Sequence, residues 1–302
     1  MSDLALPVLP DVRWQTRAEA YRRRLEHFLD PHLRSIAAGD PVPAFLFRYY
    51  SLRPRQLRVW HPGFGTRLRG AAAVRTYRGQ RGYTVDAGAV EVDGAFLAER
   101  AATVRFVARL LRATAGRPAQ LNCFGLHEWA MVYGIRTAHD VRHSHVPLRL
   151  DPDAVQAVVD SMPLRCTHFD AFRFFTPAAS LRNVGAPARA SQADWEQPGC
   201  LHANMDLYKW CYKLGPLIDS ELLLDCLQLA AQAREIDMRA SPYDLSDYGY
   251  QPIAIESASG RAEYVRLQSE IARRAAPLRA TLLARCQALL GLPDAGSCAS
   301  DR

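Results

Sequence analysis

The chain has 302 residues, of which 49% are hydrophobic and 23% are charged, and its formal net charge is +7. These fractions are ordinary for a globular protein, so they exclude a disordered chain, a fibrous protein and a small disulfide-stapled scaffold. No run of 18 apolar residues occurs, which excludes a membrane-spanning helix and predicts no membrane partner. The positive charge permits nucleic acid or another anionic partner.

The cysteines and the N-terminus predict a cytoplasmic protein. The seven cysteines are odd in number and include no C-x-x-C pair, which is typical of reduced and mostly buried thiols. The first ten residues lack the basic start, the apolar stretch and the cleavage site of a signal peptide.

Hydrophobic spacing predicts helices at the start of the chain. Apolar residues recur every three or four positions from residue 14 to residue 28, and Asp30-Pro31 is expected to end this helix. Residues 45–50 are apolar enough for a short buried helix. Residues 72–94 combine β-branched alternation with repeated glycine and predict a small hairpin. The first stripe consists of Trp14, Ala18, Tyr21, Leu25 and Phe28.

The middle of the chain mixes helical and extended patterns. Residues 97–111 predict a helix that ends near Gly116, and residues 126–133 predict a shorter one. Residues 146–150 alternate like a strand, after which Asp151-Pro152 is typical of a helix start. Residues 164–175 fit either a helix or a buried strand, and residues 180–200 read as a loop.

The C-terminal third predicts two long helices, over residues 220–236 and 261–282. All these elements together predict an α+β fold, predominantly α-helical with a small β component. We expect a single globular domain over residues 1–291, followed by a flexible tail at 292–302.

Ionisable groups are embedded among large apolar residues in four segments. Burying such groups is costly unless they pair, so each segment predicts either a structural ion network or part of a site. The segments are residues 123–129, 168–173, 201–210 and 234–244.

The first two segments offer candidate acids, bases and metal ligands. His127 and Glu128 supply a base with its orienting partner, a metal ligand, or only an acid favoured by a helix N-terminus. His168 and Asp170 form an H-x-D pattern, whose side chains face the same way on a strand. With His127 or His202 they would make an iron-binding set of two histidines and a carboxylate. Asp170, set among aromatic rings, is also a candidate base.

The third segment predicts a helix with one polar face. A solvated ion pair on that face is the alternative to a functional role. Only Lys209 and Lys213 are lysines among the 38 Lys and Arg residues of the chain. An ammonium loses its proton more readily than a guanidinium when it is desolvated, so the use of lysine here favours a functional Lys209. Tyr208 lies beside the face, whose members are His202, Asp206, Lys209 and Lys213.

The fourth segment ends a helix with alternating charges. Asp237 lies close to exposed helix carbonyls and needs a cation, which Arg234 or Arg239 would provide. A site and a structural clamp both fit this pattern.

The chain lacks G-x-G-x-x-G, a Walker loop, G-x-S-x-G and H-E-x-x-H, which disfavours dinucleotide, P-loop, α/β-hydrolase and zincin chemistry.

The same segments carry a family resemblance. They read Cys-Phe-Gly-Leu-His-Glu-Trp-Ala-Met-Val-Tyr (123–133), His-Phe-Asp-Ala-Phe-Arg-Phe-Phe-Thr-Pro-Ala-Ala (168–179), Glu-Gln-Pro-Gly-Cys-Leu-His-Ala-Asn-Met-Asp-Leu-Tyr-Lys-Trp (196–210) and Arg-Glu-Ile-Asp-Met-Arg-Ala-Ser-Pro-Tyr-Asp-Leu (234–245). The chain, from Trp14 to Leu283, resembles a bacterial family that is common in actinobacteria and often labelled 3-methyladenine DNA glycosylase. It is distinct from the helix-hairpin-helix glycosylases, whose Gly-rich hairpin has no counterpart in context here.

The resemblance implies an N-glycosylase-like hydrolase that removes an alkylated purine from DNA or a nucleoside. Such chemistry needs rings to stack the base, a carboxylate to aim water and donors to help the base depart. The candidate catalytic residues are Glu128, His168, Asp170 and Lys209. The candidate substrate-binding residues are His127, Trp129, His202, Asp206, Tyr208, Arg239, Tyr243 and Asp244.

Two alternatives remain open. One is a metal-dependent enzyme acting on a small polar metabolite, in which a divalent metal is held by His127, His168, Asp170 and His202. The other is a non-enzymatic module whose arginines and aromatic rings bind nucleic acid. The glycosylase hypothesis itself requires no cofactor.

Overall fold

The computed structural model describes residues 7–135 and 146–291. The tail predicted at 292–302 lies outside these residues, and the single domain predicted for residues 1–291 stays a prediction. The described chain divides into two compact units. The first comprises the described residues of Met1–Arg109, Leu207–Gln228 and Leu278–Arg302, and the second those of Leu110–Asp206 and Leu229–Pro277. Among these residues no helix has both the length and the apolar character needed to cross a bilayer.

The α+β, mostly helical fold is confirmed, since helices make up 60% of the structure and strands only 6%. The strands are β1 (Val8–Leu9), β2 (Arg67–Arg69), β3 (Tyr83–Asp86) and β4 (Ala89–Val92). The helices are α1 (Asp11–Ala37), α2 (Pro41–Arg48), α3 (Pro54–Leu57), α4 (Ala71–Tyr77), α5 (Gly94–Ala115), α6 (Leu126–Ala130), α7 (Pro152–Asp160), α8 (Phe169–Phe172), α9 (Pro177–Ser180), α10 (Gln192–Trp195), α11 (Leu201–Leu214), α12 (Ser220–Arg239) and α13 (Ala258–Leu289).

The first unit contains the small sheet, in the order β1-β2-β4-β3. Strand β1 pairs in parallel with β2, and the other pairs are antiparallel. Ala87 and Gly88 have positive φ between β3 and β4, as a tight two-residue hairpin turn requires. The hairpin predicted within 72–94 is therefore confirmed for its second half. Its first half is α4, whose run of alanines favours a helix.

Helix α1 does not end at Asp30-Pro31, as the sequence predicted, but continues through Pro31 to Ala37. A proline inside a helix costs about 3 kcal/mol. The last fully buried residue of α1 is Leu29, two positions before Pro31, and the residues of α1 after Pro31 are half-buried or exposed. The buried stripe therefore does not explain why the helix continues past the proline.

Three long-range hydrogen bonds hold the second unit around its buried residues. Trp129 of α6 donates from its indole to the carbonyl of Ala240 at 2.8 Å, just beyond α12. Gln268 of α13 donates to the carbonyl of Gly199 at 2.7 Å and to Sγ of Cys123 at 3.2 Å. These contacts fix the ends of α6, α11 and α12, which carry the polar side chains described below.

The predicted strand over residues 146–150 is wrong. Leu148 makes only an isolated bridge with Tyr243, supported by hydrogen bonds from Arg149 N to Pro242 O and from Asp244 N to Pro147 O. The prolines remove backbone donors on both sides of the pairing, which stops a longer ladder. Asp151 does cap α7 as predicted, because its side chain accepts from Ala154 N.

Candidate functional site

A strained turn directs His127 and Glu128 into the interior of the second unit. Phe124 and Gly125 both have positive φ, at 47° and 69°, and a non-glycine residue in this region costs about 1–3 kcal/mol. A Cβ on Gly125 would lie 3.3 Å from the ring of Tyr264, so glycine allows close packing there. Helix α6 begins at the next residue, and His127 and Glu128 are both buried.

His127, His202 and Asp237 form a buried cluster, the first triad. Nε2 of His127 lies 2.9 Å from Oδ1 of Asp237, and Nε2 of His202 lies 4.0 Å from Oδ2 of the same carboxylate. The two imidazole rings are perpendicular, with centroids 4.5 Å apart. One ligand atom from each residue lies within 4.8 Å of the other two. The three side chains therefore bring their ligand atoms close enough together to be a candidate metal site.

Arg234 holds the carboxylates of Asp237 and Glu128. Its Nη1 donates to Oδ2 of Asp237 at 2.8 Å and to Oε1 of Glu128 at 2.9 Å. Asp237 lies one turn after Arg234 on α12, whereas Glu128 comes from α6. All three side chains are nearly inaccessible to solvent. Each charge in such a buried set depends on its partners, because an uncompensated buried charge is strongly destabilising.

The charges of the first triad are coupled. Burial acts to raise the pKa of Asp237, but the two histidines and Arg234 outweigh it and hold that pKa well below its usual range. Burial acts to lower the pKa of His127, and the negative charges of Asp237 and Glu128 reverse this and raise it. Burial, reinforced by His127, lowers the pKa of His202 to about 3. His202 is therefore neutral at pH 7 and has a nitrogen lone pair available to a ligand.

Two polar atoms of the first triad are buried without a hydrogen bond to any described residue: Nε2 of His127 and Oδ1 of Asp237. They lie 2.9 Å apart and attract each other as an ion pair, but they are not aligned as donor and acceptor. A misaligned contact of this kind leaves both atoms only partly satisfied. Ligand atoms about 2.0–2.2 Å from one cation lie about 2.8–3.6 Å apart at ligand–metal–ligand angles from 90° to tetrahedral, a range that includes the 2.9 Å between these atoms. A divalent cation fits this cluster.

His168, Glu196 and Asp206 form a second buried cluster, the second triad. Nε2 of His168 lies 3.1 Å from Oδ2 of Asp206 and 3.4 Å from Oε1 of Glu196, and the three ligand atoms lie within 4.8 Å of one another. His168 precedes α8, Glu196 follows α10, and Asp206 lies one turn after His202 on α11. The rings of His168 and His202 have centroids 5.4 Å apart. The two triads are therefore neighbours.

A small cavity borders both triads. Its volume is about 20 Å³, and its lining includes His127, His168 and His202. That volume accommodates one water molecule, whereas pockets for drug-sized ligands are far larger, at about 300–1,000 Å³. Burial raises the pKa of three thiols that also line the cavity, belonging to Cys123, Cys166 (to about 12) and Cys200.

Five of the predicted site residues lie in or beside the triads. Glu128 is linked to the first triad through Arg234, and the other four contribute ligand atoms to one triad or the other. The five are His127, Glu128, His168, His202 and Asp206.

Asp170 and Lys209 belong to neither triad. The carboxylate of Asp170 lies 3.1 Å from Nε of Arg173 and 3.6 Å from Nη2 of Arg189. Lys209 is buried on α11, within the part of that helix that belongs to the first unit, and its Nζ lies 4.6 Å from the ring centroid of Trp210. The predicted polar face of α11 is thus buried at Lys209 and solvent-exposed only at Lys213.

The rings predicted to stack a base are inside the protein. Trp129 and Tyr208 are both 0% exposed. The indole of Trp129 donates to a backbone carbonyl, and Arg149 lies 5.3 Å from its ring centroid. Tyr208 packs edge-on against Tyr50, with centroids 5.5 Å apart. Neither ring presents a free face in this structure.

The remaining predicted residues stabilise the turn after α12. Arg239 donates from Nε to the carbonyl of Gln251 at 2.9 Å. Asp244 accepts from the backbone N–H of Ser246 at 3.0 Å, and hydrogen bonds from the side chain and then the backbone of Ser246 lower the pKa of its carboxyl. Tyr243 is buried at the isolated bridge. These contacts are structural.

Three residues of the site were not among the sequence candidates: Arg234, Glu196 and Asp237. Asp237 had a readable signal, since a carboxylate in the last turn of a helix requires a cation. Arg234 is that cation, three residues earlier. Glu196 sits between a short helix and a Pro-Gly turn, and no pattern in the sequence distinguishes it from a surface acid.

Comparisons of the chain with protein-family models, with curated proteins and with solved structures give no match.

Proposed function

We propose that the protein is a metal-dependent enzyme whose reaction uses a water molecule at the first triad. The observation that carries this proposal is a buried ion pair that is poorly aligned for a hydrogen bond, between Nε2 of His127 and Oδ1 of Asp237, 2.9 Å apart. They belong to a triad whose two histidines line a cavity with room for one water. Catalytic metal sites have this composition, with three protein ligands and one further position.

The donor set favours a transition metal over magnesium or calcium. Imidazole suits zinc, iron and related ions, whereas the harder ions prefer oxygen ligands alone. When bound, such a cation polarises substrate oxygens and lowers the pKa of a water molecule to near neutrality.

The protein side of the site is preorganised. His202 is neutral and needs no deprotonation before binding. His127 has a raised pKa and gives up its proton on binding, so metal uptake is accompanied by proton release. Arg234 and Glu128 orient the Asp237 carboxylate; removing supporting groups of this kind typically costs 10–100-fold in metal affinity.

Metal content of the purified chain tests the proposal. The protein is stripped with a chelator, dialysed against Zn²⁺, Mn²⁺ or anaerobic Fe²⁺, desalted and measured by elemental analysis. We expect at least one equivalent per chain, and loss of an equivalent in Asp237→Asn and His127→Ala. Glu235→Gln is the matched control, because Glu235 lies on the same helix with its side chain 49% exposed. A wild-type protein that retains no metal from any of the three solutions would contradict the proposal.

A second candidate function places an alkylated purine, in DNA or as a nucleoside, as the substrate, with water as the nucleophile. It is supported by the family resemblance of the segments that carry both triads and by the need of such a reaction for a water-directing carboxylate.

We propose the cytoplasm as the location, because the six described cysteines are free thiols.

Base release tests this second candidate. Alkylated DNA and alkylated nucleosides are incubated with metal-loaded and metal-stripped enzyme, and free base is measured by chromatography. Release that requires metal and disappears in Asp237→Asn supports the candidate. Release that is equal in wild type and Asp237→Asn, or no release from either substrate, contradicts it.

A further inference from the structure

We propose that the second triad binds a second divalent cation, so that the protein carries a two-metal centre. This inference rests on the proposed function of the first triad and extends it by one site. The second triad offers one imidazole and two carboxylates, a mixed donor set that transition metals accept.

The spacing of the donors supports a shared cation. Nε2 of His168 lies 3.1 Å from one carboxylate oxygen and 3.4 Å from the other. Ligand atoms about 2.0–2.2 Å from one ion lie about 2.8–3.6 Å apart, so both distances fit a single ion. The three groups are at most 2% exposed.

A supporting residue orients one of these ligands. Gln192 is buried and donates from Nε2 to Oε1 of Glu196 at 2.6 Å. Metal-ligating carboxylates are commonly fixed in this way by a neighbouring hydrogen-bond donor. Gln192 lies one turn before Glu196, at the start of α10, so the short helix presents ligand and support together.

One helix, α11, carries a ligand residue of each triad. His202 of the first triad and Asp206 of the second are four residues apart on α11, which places their side chains on the same face of one helix. The small cavity is lined by histidines from both triads. A ligand of the size of one water molecule therefore has access to donors of both sites. Paired metal sites use such an arrangement to hold two oxygens of a reacting group.

Metal stoichiometry measured on the full-length chain distinguishes this inference from the proposed function. Chelator-stripped protein is titrated with Mn²⁺ or Co²⁺, and bound metal is measured by elemental analysis after desalting and by electron paramagnetic resonance. We expect two equivalents in wild type with spin coupling between them, and one uncoupled equivalent in Glu196→Gln and in Asp206→Asn. Asp194→Asn, an exposed acid two residues before Glu196, is the matched control and keeps both equivalents.

A variant of the supporting residue Gln192 tests the second site even if a variant of a ligand residue unfolds. Gln192→Leu retains all ligands of both triads. We expect it to weaken the second equivalent by about 10–100-fold and to leave the first unchanged. Circular dichroism verifies the fold of each variant.

Three outcomes would overturn the inference. One equivalent in wild type that survives Glu196→Gln but is lost in Asp237→Asn leaves the proposed function standing and removes the second site. Two equivalents that both survive Glu196→Gln and Asp206→Asn place the second ion elsewhere. No equivalents in wild type removes both proposals.

Discussion

Replacing Arg234 by methionine is the most direct test of the buried charge network. The substitution keeps an unbranched apolar side chain but removes the guanidinium that bridges Asp237 at 2.8 Å and Glu128 at 2.9 Å. Arg234 is 2% exposed, so water cannot replace it. Removing one partner of a buried ion pair costs about 3–5 kcal/mol, because the charge left behind is uncompensated. Here two carboxylates are left behind, which places the expected loss toward the upper part of this range.

The loss is measured as a change in Tm by differential scanning calorimetry. For 302 residues that unfold together, about 3–5 kcal/mol corresponds to a fall in Tm of at least about 5 °C. The matched control is Arg273→Met, whose side chain is 74% exposed and pairs with Glu270 on the surface. Exposed pairs contribute little to stability, so we expect the control to melt within about 1–2 °C of wild type. If Arg234→Met melted as close to wild type as the control, the two carboxylates would not depend on Arg234, and the account of the network would be wrong.

Three further predictions concern the turn at Gly125, the stability of the protein in acid and the role of Asp170. Gly125→Ala, at φ 69° and with Tyr264 in close contact, is expected to lose about 1–2 kcal/mol and part of its bound metal, measured by denaturant unfolding and elemental analysis. Burial lowers the pKa of the half-buried His61 to about 4, so the folded protein disfavours the charged ring. Above pH 6.5 the ring is neutral in the folded and the unfolded protein, and the free energy of unfolding is unaffected. As the pH falls from 6.5 through 4 the unfolded protein takes up a proton first, which lowers the free energy of unfolding by about 2 kcal/mol at pH 5. Unfolding at pH 7 and pH 5 should therefore differ less in His61→Gln than in wild type, and an equal difference would contradict this. Asp170→Asn should keep full metal content and lose less than about 1 kcal/mol, since its arginine partners are 40% and 73% exposed; loss of metal would return Asp170 to the site.

Much of the helical framework could be read from apolar spacing. The stripe over residues 97–111 corresponds to α5, and the C-terminal pattern corresponds to α12 and α13. One local signal misled the prediction. Pro31 predicted an end to α1, whereas the helix continues to Ala37 although its last fully buried residue, Leu29, precedes the proline. A proline inside a helix removes one backbone hydrogen bond but does not forbid the helix, so this local signal alone did not decide the boundary.

The grouping of the site residues was beyond the reach of sequence patterns. The H-x-D pattern paired His168 with Asp170 on the assumption of a strand, in which alternate side chains face the same way. The chain instead starts α8 at Phe169, which leaves His168 extended and turns Asp170 toward Arg173. Carboxylates from distant segments lie beside the histidines where Asp170 was expected: Glu196 and Asp206 beside His168, and Asp237 beside His127. Such partners are brought together only by tertiary packing.

The composition of the first triad favours a metal site over a clamp between helices. Four buried carboxylates belong to the two triads and their support: Glu128, Glu196, Asp206 and Asp237. Burying charged groups costs free energy that an apolar core does not incur. Arg234 bridges Glu128 and Asp237, and a protonated His127 faces Asp237. Beside them His202 stays neutral, which gives it a lone pair for a metal but no role in an ion pair. We therefore propose that this cluster binds metal and is not only an ion network.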